Sequence, residues 1–174
     1  MAKTELHNYS VQEKLNKMDL DLIDVALTTD IETHADCDVI TLPIEIENAV
    51  AVKGGTAIIQ SAILMNTDNS VESPAIELMF ASETMDVSST PDEGEAVGIE
   101  DADIPKLCGS TTVSNWSLVN TSKGEVATKS NIGLVVKAAA TSTSIFVIAI
   151  CRAAGGYSAG ATDNLKLRLG VVKD

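Results

Sequence analysis

From residue 20 onward, apolar and polar positions alternate with a period of two, the spacing of strands that bury one face. The run Leu20-Asp-Leu-Ile-Asp-Val-Ala-Leu27 predicts a first strand. Between Val39 and Val50, Ile40, Leu42, Ile44 and Ile46 share one face, and Thr41, Pro43, Glu45 and Glu47 share the other. Pro43 lacks the amide proton that a central strand donates, so this strand is expected at a sheet edge or at a bulge. Gly54-Gly55 signals a turn, followed by a mostly buried strand over 56–65. A polar turn over 66–70 leads into a strand over 75–81. Further strands are expected over 111–119, 126–130, 133–139 and 144–153, the last apolar on both faces and therefore central. The chain closes on Leu165, Leu167, Leu169 and Val171, alternating with Lys166, Arg168 and Gly170. Roughly eight to nine strands at short intervals predict an all-β protein: one β-sandwich or jelly-roll-like domain spanning residues 20–174.

Residues 1–19 follow a different period and are expected to form a short helical or extended arm. Ser10-Val-Gln-Glu13 matches a capping box, Val11, Leu15 and Met18 recur at helical spacing, and Glu13 and Lys17 stand four apart. A helix of about two turns is marginal in isolation, so its stripe needs a surface, either its own sandwich or a neighbouring subunit. Lys3, Lys14 and Lys17 against Glu5 and Glu13 leave residues 1–17 at +1 and the remainder at −14. Arm and body therefore differ in charge.

The net charge of −13 disfavours nucleic acid as a partner, since most of the surface repels a phosphate backbone. An aromatic fraction of 3% leaves the core to Val, Ile, Leu and Ala, which favours strands. Cys37, Cys108 and Cys151 form no CxxC pair and read as buried thiols. The first residues show no apolar signal segment, and no run approaches the ~20 apolar residues of a membrane span. Folding in a cytoplasm, without a membrane partner, is expected.

Candidate chemistry is sparse. His34-Ala-Asp-Cys-Asp38 mixes imidazole, thiol and carboxylates, but its spacing fits no metal motif and reads better as a polar turn entering a strand. With only His7 besides, neither a Ser-His-Asp nor a Cys-His arrangement is readily built. No nucleotide-binding loop or nucleophile elbow occurs. Between Glu83 and Asp103 lie eight acids and no base, expected as a long solvated loop. Its end, Asp101 to Gly109, reads as one helical turn with an acidic cap, Pro105 in the first turn and glycine as the stop. Trp116 is expected in the core. The chain is expected to be no enzyme and to hold neither cofactor nor metal.

Several segments resemble small structural proteins encoded beside the major capsid gene of tailed, often marine, bacteriophages. They are His34-Ala-Asp-Cys-Asp-Val-Ile40, Ile46-Glu-Asn-Ala-Val50, Gly54-Gly-Thr-Ala-Ile-Ile-Gln-Ser61, Gly98-Ile-Glu-Asp-Ala-Asp103, Asn131-Ile-Gly-Leu-Val-Val-Lys-Ala-Ala139, Tyr157-Ser-Ala and the closing Leu165 to Asp174. The resemblance runs from about residue 20 to the end and implies a sandwich or jelly roll attached to the outside of a head shell, with no catalytic residues to carry over. On this reading the chain is a head decoration protein, assembled in the host cytoplasm and carried on the capsid exterior. Its expected partners are the major capsid protein and itself, as a homotrimer suited to three-fold positions. The arm is the expected capsid contact, through Lys3, Leu6, Tyr9, Val11, Lys14, Leu15, Lys17 and Met18. That assignment rests on charge and amphipathicity, because the arm lies outside the resemblance. The alternatives are a phage tail, fibre or host-adhesion module and, less compatible with two histidines, an acidic hydrolase or cupin-like enzyme.

Overall fold

Every strand pairing among the described residues is antiparallel. The computed structural model describes residues 19–29, 31–67, 74–86, 94–119, 124–158, 160–162 and 164–173. The arm expected over 1–19 lies outside these residues except for Asp19, whose backbone opens the first strand. In chain order the strands are β1 (Asp19–Ala26), β2 (Thr33–His34), β3 (Val39–Ile46), β4 (Thr56–Asn66), β5 (Ile76–Ala81) and β6 (Leu107–Val113). They continue with β7 (Trp116–Leu118), β8 (Glu125–Lys137), β9 (Ile145–Cys151), β10 (Tyr157–Ser158) and β11 (Leu165–Lys173).

One sheet has the order β1-β11-β4-β8-β7, the other β3-β9-β5-β6, and β10 pairs β2 in a small ribbon. With the short β7 and the ribbon set aside, β1-β11-β4-β8 facing β3-β9-β5-β6 is the strand order of a jelly roll. The expected β-sandwich is therefore present, and its topology is that of two Greek keys.

The core lies between the sheets. Val25, Ile59, Leu64, Leu167 and Leu169 from one inner face meet Ile40, Ile46, Leu78, Phe80 and Val147 from the other, all buried. Each such side chain contributes about 1.5–3 kcal/mol on burial, so strand faces alone build the core. A second, smaller cluster sits on the outer face of the four-stranded sheet, where Val39, Ile148 and Ile150 pack under Met85 with Val97 and Leu107 beside them. It explains why β9 is apolar on both faces, as its sequence predicts.

That cluster revises part of the expectation of a solvated acidic loop: Glu83, Asp86, Glu95, Glu100 and Asp101 are exposed as expected, but the loop is also attached to the sheet. Of its described parts, Met85 and Asp103 are buried and Val97 half-buried. Val39 and Val97 donate backbone hydrogen bonds to Glu95 and Cys37 carbonyls, both at 2.9 Å, and Gly94 donates to Val39 at 3.0 Å. Met85 and Val97, with these backbone hydrogen bonds, anchor the described parts of the loop to the sheet while most of its acids stay in solvent.

Other expectations need revision. The single strand predicted over 111–119 is two, since β6 and β7 belong to different sheets and the chain crosses between them at Ser114-Asn115. The strands predicted over 126–130 and 133–139 are one, β8, interrupted where Ser61 and Ile59 pair Ser130 and Leu134. Asn131 and Gly133 there have φ of +56° and +65°. In β3 the register slips on both sides of Thr41; Thr41 is buried, its Oγ1 accepting the Ala149 N–H at 3.1 Å, while Leu42 turns outward. Both readings of Pro43 hold, because β3 is an edge strand and is bulged. The predicted helical turn is a short 3₁₀ turn, Ile104–Lys106, and Gly109 does not stop it but lies within β6. A β-carbon on Gly109 would sit 2.8 Å from Leu134, so glycine there lets β6 approach β8. Of the cysteines only Cys151 is buried; Cys37 and Cys108 are half-exposed.

Candidate functional site: an uncovered sheet face

The outer face of the five-stranded sheet stands in contrast to the covered face opposite. Strand register aligns Leu20 with Val172, Val172 with Ile58 and Ile58 with Val135, a row of four aliphatic side chains running across β1, β11, β4 and β8. All four point away from the core, because their neighbours Val171, Ile59 and Val136 are buried within it. Leu20 is 65% exposed, Leu22 68% and Val135 58%, unusually high for aliphatics on a regular sheet. Further along the same face lie Ile63, Met65 and Val126, half-buried among their neighbours.

The charges on this face run against those of the chain. At outward positions of the register stand Lys137, Lys166 and Arg168, and Asp24 is the one acid there among the described residues. Asp24 is held by Arg168 in a two-point pair, Nε to Oδ1 at 2.6 Å and Nη2 to Oδ2 at 3.1 Å. The hydrogen bond and charge of Arg168 hold the Asp24 carboxyl below its usual range. An exposed pair of this kind adds little stability, but it neutralises the acid and leaves the face net basic on a chain of net charge −13.

The arm residues expected to make contacts, Lys3, Leu6, Tyr9, Val11, Lys14, Leu15, Lys17 and Met18, lie outside the described residues. What is described is the point at which the arm joins, Asp19, next to the first member of the aliphatic row. Sequence reading missed the face itself. Its signal was present as adjacent apolar pairs inside alternating strands: Leu22-Ile23, Ile58-Ile59, Val135-Val136 and Val171-Val172. Such pairs mark strands apolar on both sides.

The His34–Asp38 segment is a turn entering β3, as its composition predicts. Asp38 donates its N–H to the Ala35 carbonyl at 3.1 Å, and its carboxylate accepts the Ala35 N–H at 2.5 Å. His34 is buried, its ring stacked with that of Tyr157 at 6.3 Å between centroids. Cys37 takes φ +76° at the third turn position and, with Asp38, faces Cys151 as a bulge. Arg152 reaches across this end of the molecule, donating from Nη1 to Cys37 Sγ at 2.9 Å and from Nε to Glu77 Oε2 at 2.8 Å. No group of three or more His, Cys, Asp or Glu among the described residues is placed to hold a metal ion. A cleft of about 300 Å³ beside the β2–β10 ribbon is lined by Thr33, Gly155, Gly156, Tyr157 and Ser158, with no charged side chain. Trp116 packs against the core, its indole N–H bonded to the Pro74 carbonyl at 2.5 Å.

No protein-family model and no curated protein matches the chain. Among solved structures, the chain is similar to one from a single-particle analysis of maize chlorotic mottle virus. The two are 13% identical with a TM-score of 0.29, over 89% of this chain and 92% of that one. A likeness this distant has no bearing on function.

Proposed function

We propose that this chain is a structural protein of a bacteriophage virion, a non-catalytic head decoration protein that binds the outer surface of the capsid. One observation carries the reading: of the two outer faces of the jelly roll, one is partly covered by the chain's own loop, and the other, among the described residues, is left apolar and basic on an acidic protein. A face of that kind is a docking surface. Its aliphatic row loses water on contact, and Lys137 and Lys166 meet acidic groups of the partner, here the major capsid protein. The acidic remainder is turned to solvent, where like charge keeps neighbouring copies apart. Residues 1–19, joined to the face at Asp19, extend the contact through Lys3, Leu6, Tyr9, Val11, Lys14, Leu15, Lys17 and Met18. Three copies around a three-fold position multiply modest contacts through avidity.

The test is co-sedimentation of the full chain with capsids that lack it, against a Leu22→Glu/Val135→Glu variant. Both side chains are mostly exposed, so the variant's melting temperature should stay unchanged. Binding to the capsid should saturate near one copy per capsid subunit and weaken in the variant by at least about tenfold, the equivalent of 1.4 kcal/mol. Equal binding by the two proteins, or binding confined to tails, would overturn the proposal.

A further inference from the structure

We infer that the open edge of β1 takes up an extended segment of the capsid subunit as a further strand of the five-stranded sheet. The inference rests on the docking reading above and names how the partner is held.

Each of the two large sheets ends in two edge strands, and an edge presents the N–H and C=O of every second residue to whatever approaches. Three of these edges carry features that discourage pairing. β3 holds Pro43 and slips register on both sides of Thr41. Its start is also bonded by the acidic loop, through the Val39 N–H to the Glu95 carbonyl and the Gly94 N–H to the Val39 carbonyl. β6 shifts register beside Ala81 and carries Gly109 at φ +138°. β7 is three residues long.

β1 has none of these features. Its eight residues pair with β11 in unbroken register, without proline, glycine or lysine, and no described residue pairs with its other side. Charge also guards edges, but here it is withdrawn. Asp21 is bonded to Lys173, and Asp24 to Arg168 at 2.6 Å. Both bases stand on β11, on the side away from the edge, so the two carboxylates are neutralised and drawn back from it.

The surroundings define the occupant. Leu20 and Leu22 flank the edge, 65% and 68% exposed, and a strand laid beside β1 covers them if it carries aliphatic residues opposite. A second copy is a poor fit, because it brings its own net charge of −13 and an edge strand with three acids and no base. The edge therefore fits an extended, uncharged segment with aliphatic residues at alternate positions. Leu20 also begins the aliphatic row, so edge and face are continuous and one partner covers both.

The experiment joins residue-resolved hydrogen exchange to cryo-electron microscopy of decorated capsids. The full chain is measured free, at a concentration where sedimentation shows a monomer, and bound to capsids that lack it. In the free chain, amides over 20–26 should alternate between slow exchange, bonded to β11, and fast exchange, facing the edge. On docking, the fast set should slow by at least about tenfold. The maps should show a strand of the capsid subunit about 4.8 Å from β1, in the plane of the sheet. Uniformly slow amides in the free monomer would overturn the inference, since the chain itself would then fill the edge. A strand contributed by a neighbouring copy would overturn it too. Docking with the edge left unpaired would remove strand addition and leave the docking face standing, whereas no binding to capsids would sink the docking reading and this inference with it.

Discussion

At the scale of single residues, the end of the molecule around Arg152 carries most of the polar chemistry. Cys37 holds a left-handed backbone at φ +76°, which costs a residue with a β-carbon about 1 kcal/mol relative to glycine. Its Sγ contact with Arg152 is what a glycine would forgo. Cys37→Gly and Cys37→Ala both lose that contact, but only the first relieves the backbone. The glycine variant should therefore be more stable than the alanine variant by about 1 kcal/mol in urea melts. Glu77 faces the same guanidinium. Burial works against its carboxylate, but hydrogen bonds from Ser110 and Arg152 and the Arg152 charge outweigh burial and lower its pKa. A carboxyl lowered on folding contributes stability that is fully present above its unfolded pKa, near ~4.3, and lost as pH falls through the lower folded value. Glu77→Gln should cost about 1–2 kcal/mol at neutral pH and flatten the loss of stability below pH ~4, read from melts across that range. None of this was legible in the sequence. Glu77, Cys37 and Arg152 lie far apart along the chain and meet only because β9 pairs β5 and is continued by Arg152.

At the scale of elements, alternation located the strands well and their interruptions less well. β1, β4, β5, β9 and β11 fall where period-two patterning places them, and the proline at position 43 marked both an edge and a bulge. The Asn131–Gly133 irregularity was visible as a break between two expected strands, because a bulge and a turn draw on the same residues. The ribbon of β2 and β10 was not read at all; two residues are too few for a period. Gly170 shows what such irregularities demand. It sits where β11 shifts register against β4, and a β-carbon there would collide with Ser61 Oγ. Gly170→Ala should destabilise by about 1–3 kcal/mol, and Ser61→Ala in the same chain should restore most of that, measured by denaturant melts of the single and double variants.

At the scale of the whole molecule, the docking prediction depends on one-sidedness, a property no element has alone. Leu20, Val172, Ile58 and Val135 come from strands far apart in the chain, and they form one row only because β11 inserts between β1 and β4 while β8 follows. Lys137, Lys166 and Arg168 join them through the same pairings, so a basic face is assembled on a chain of net charge −13. The sequence by itself determined the class of fold, the aliphatic core and the central place of β9, because burial of alternate or of all positions is a local demand that each strand records. Only the tertiary structure decided which sheet each strand joined, that part of the acidic loop covers part of one face, and that no element among the described residues covers the other. Those outcomes turn on the order in which strands pair, and strand order depends on contacts between segments that carry no mark of one another.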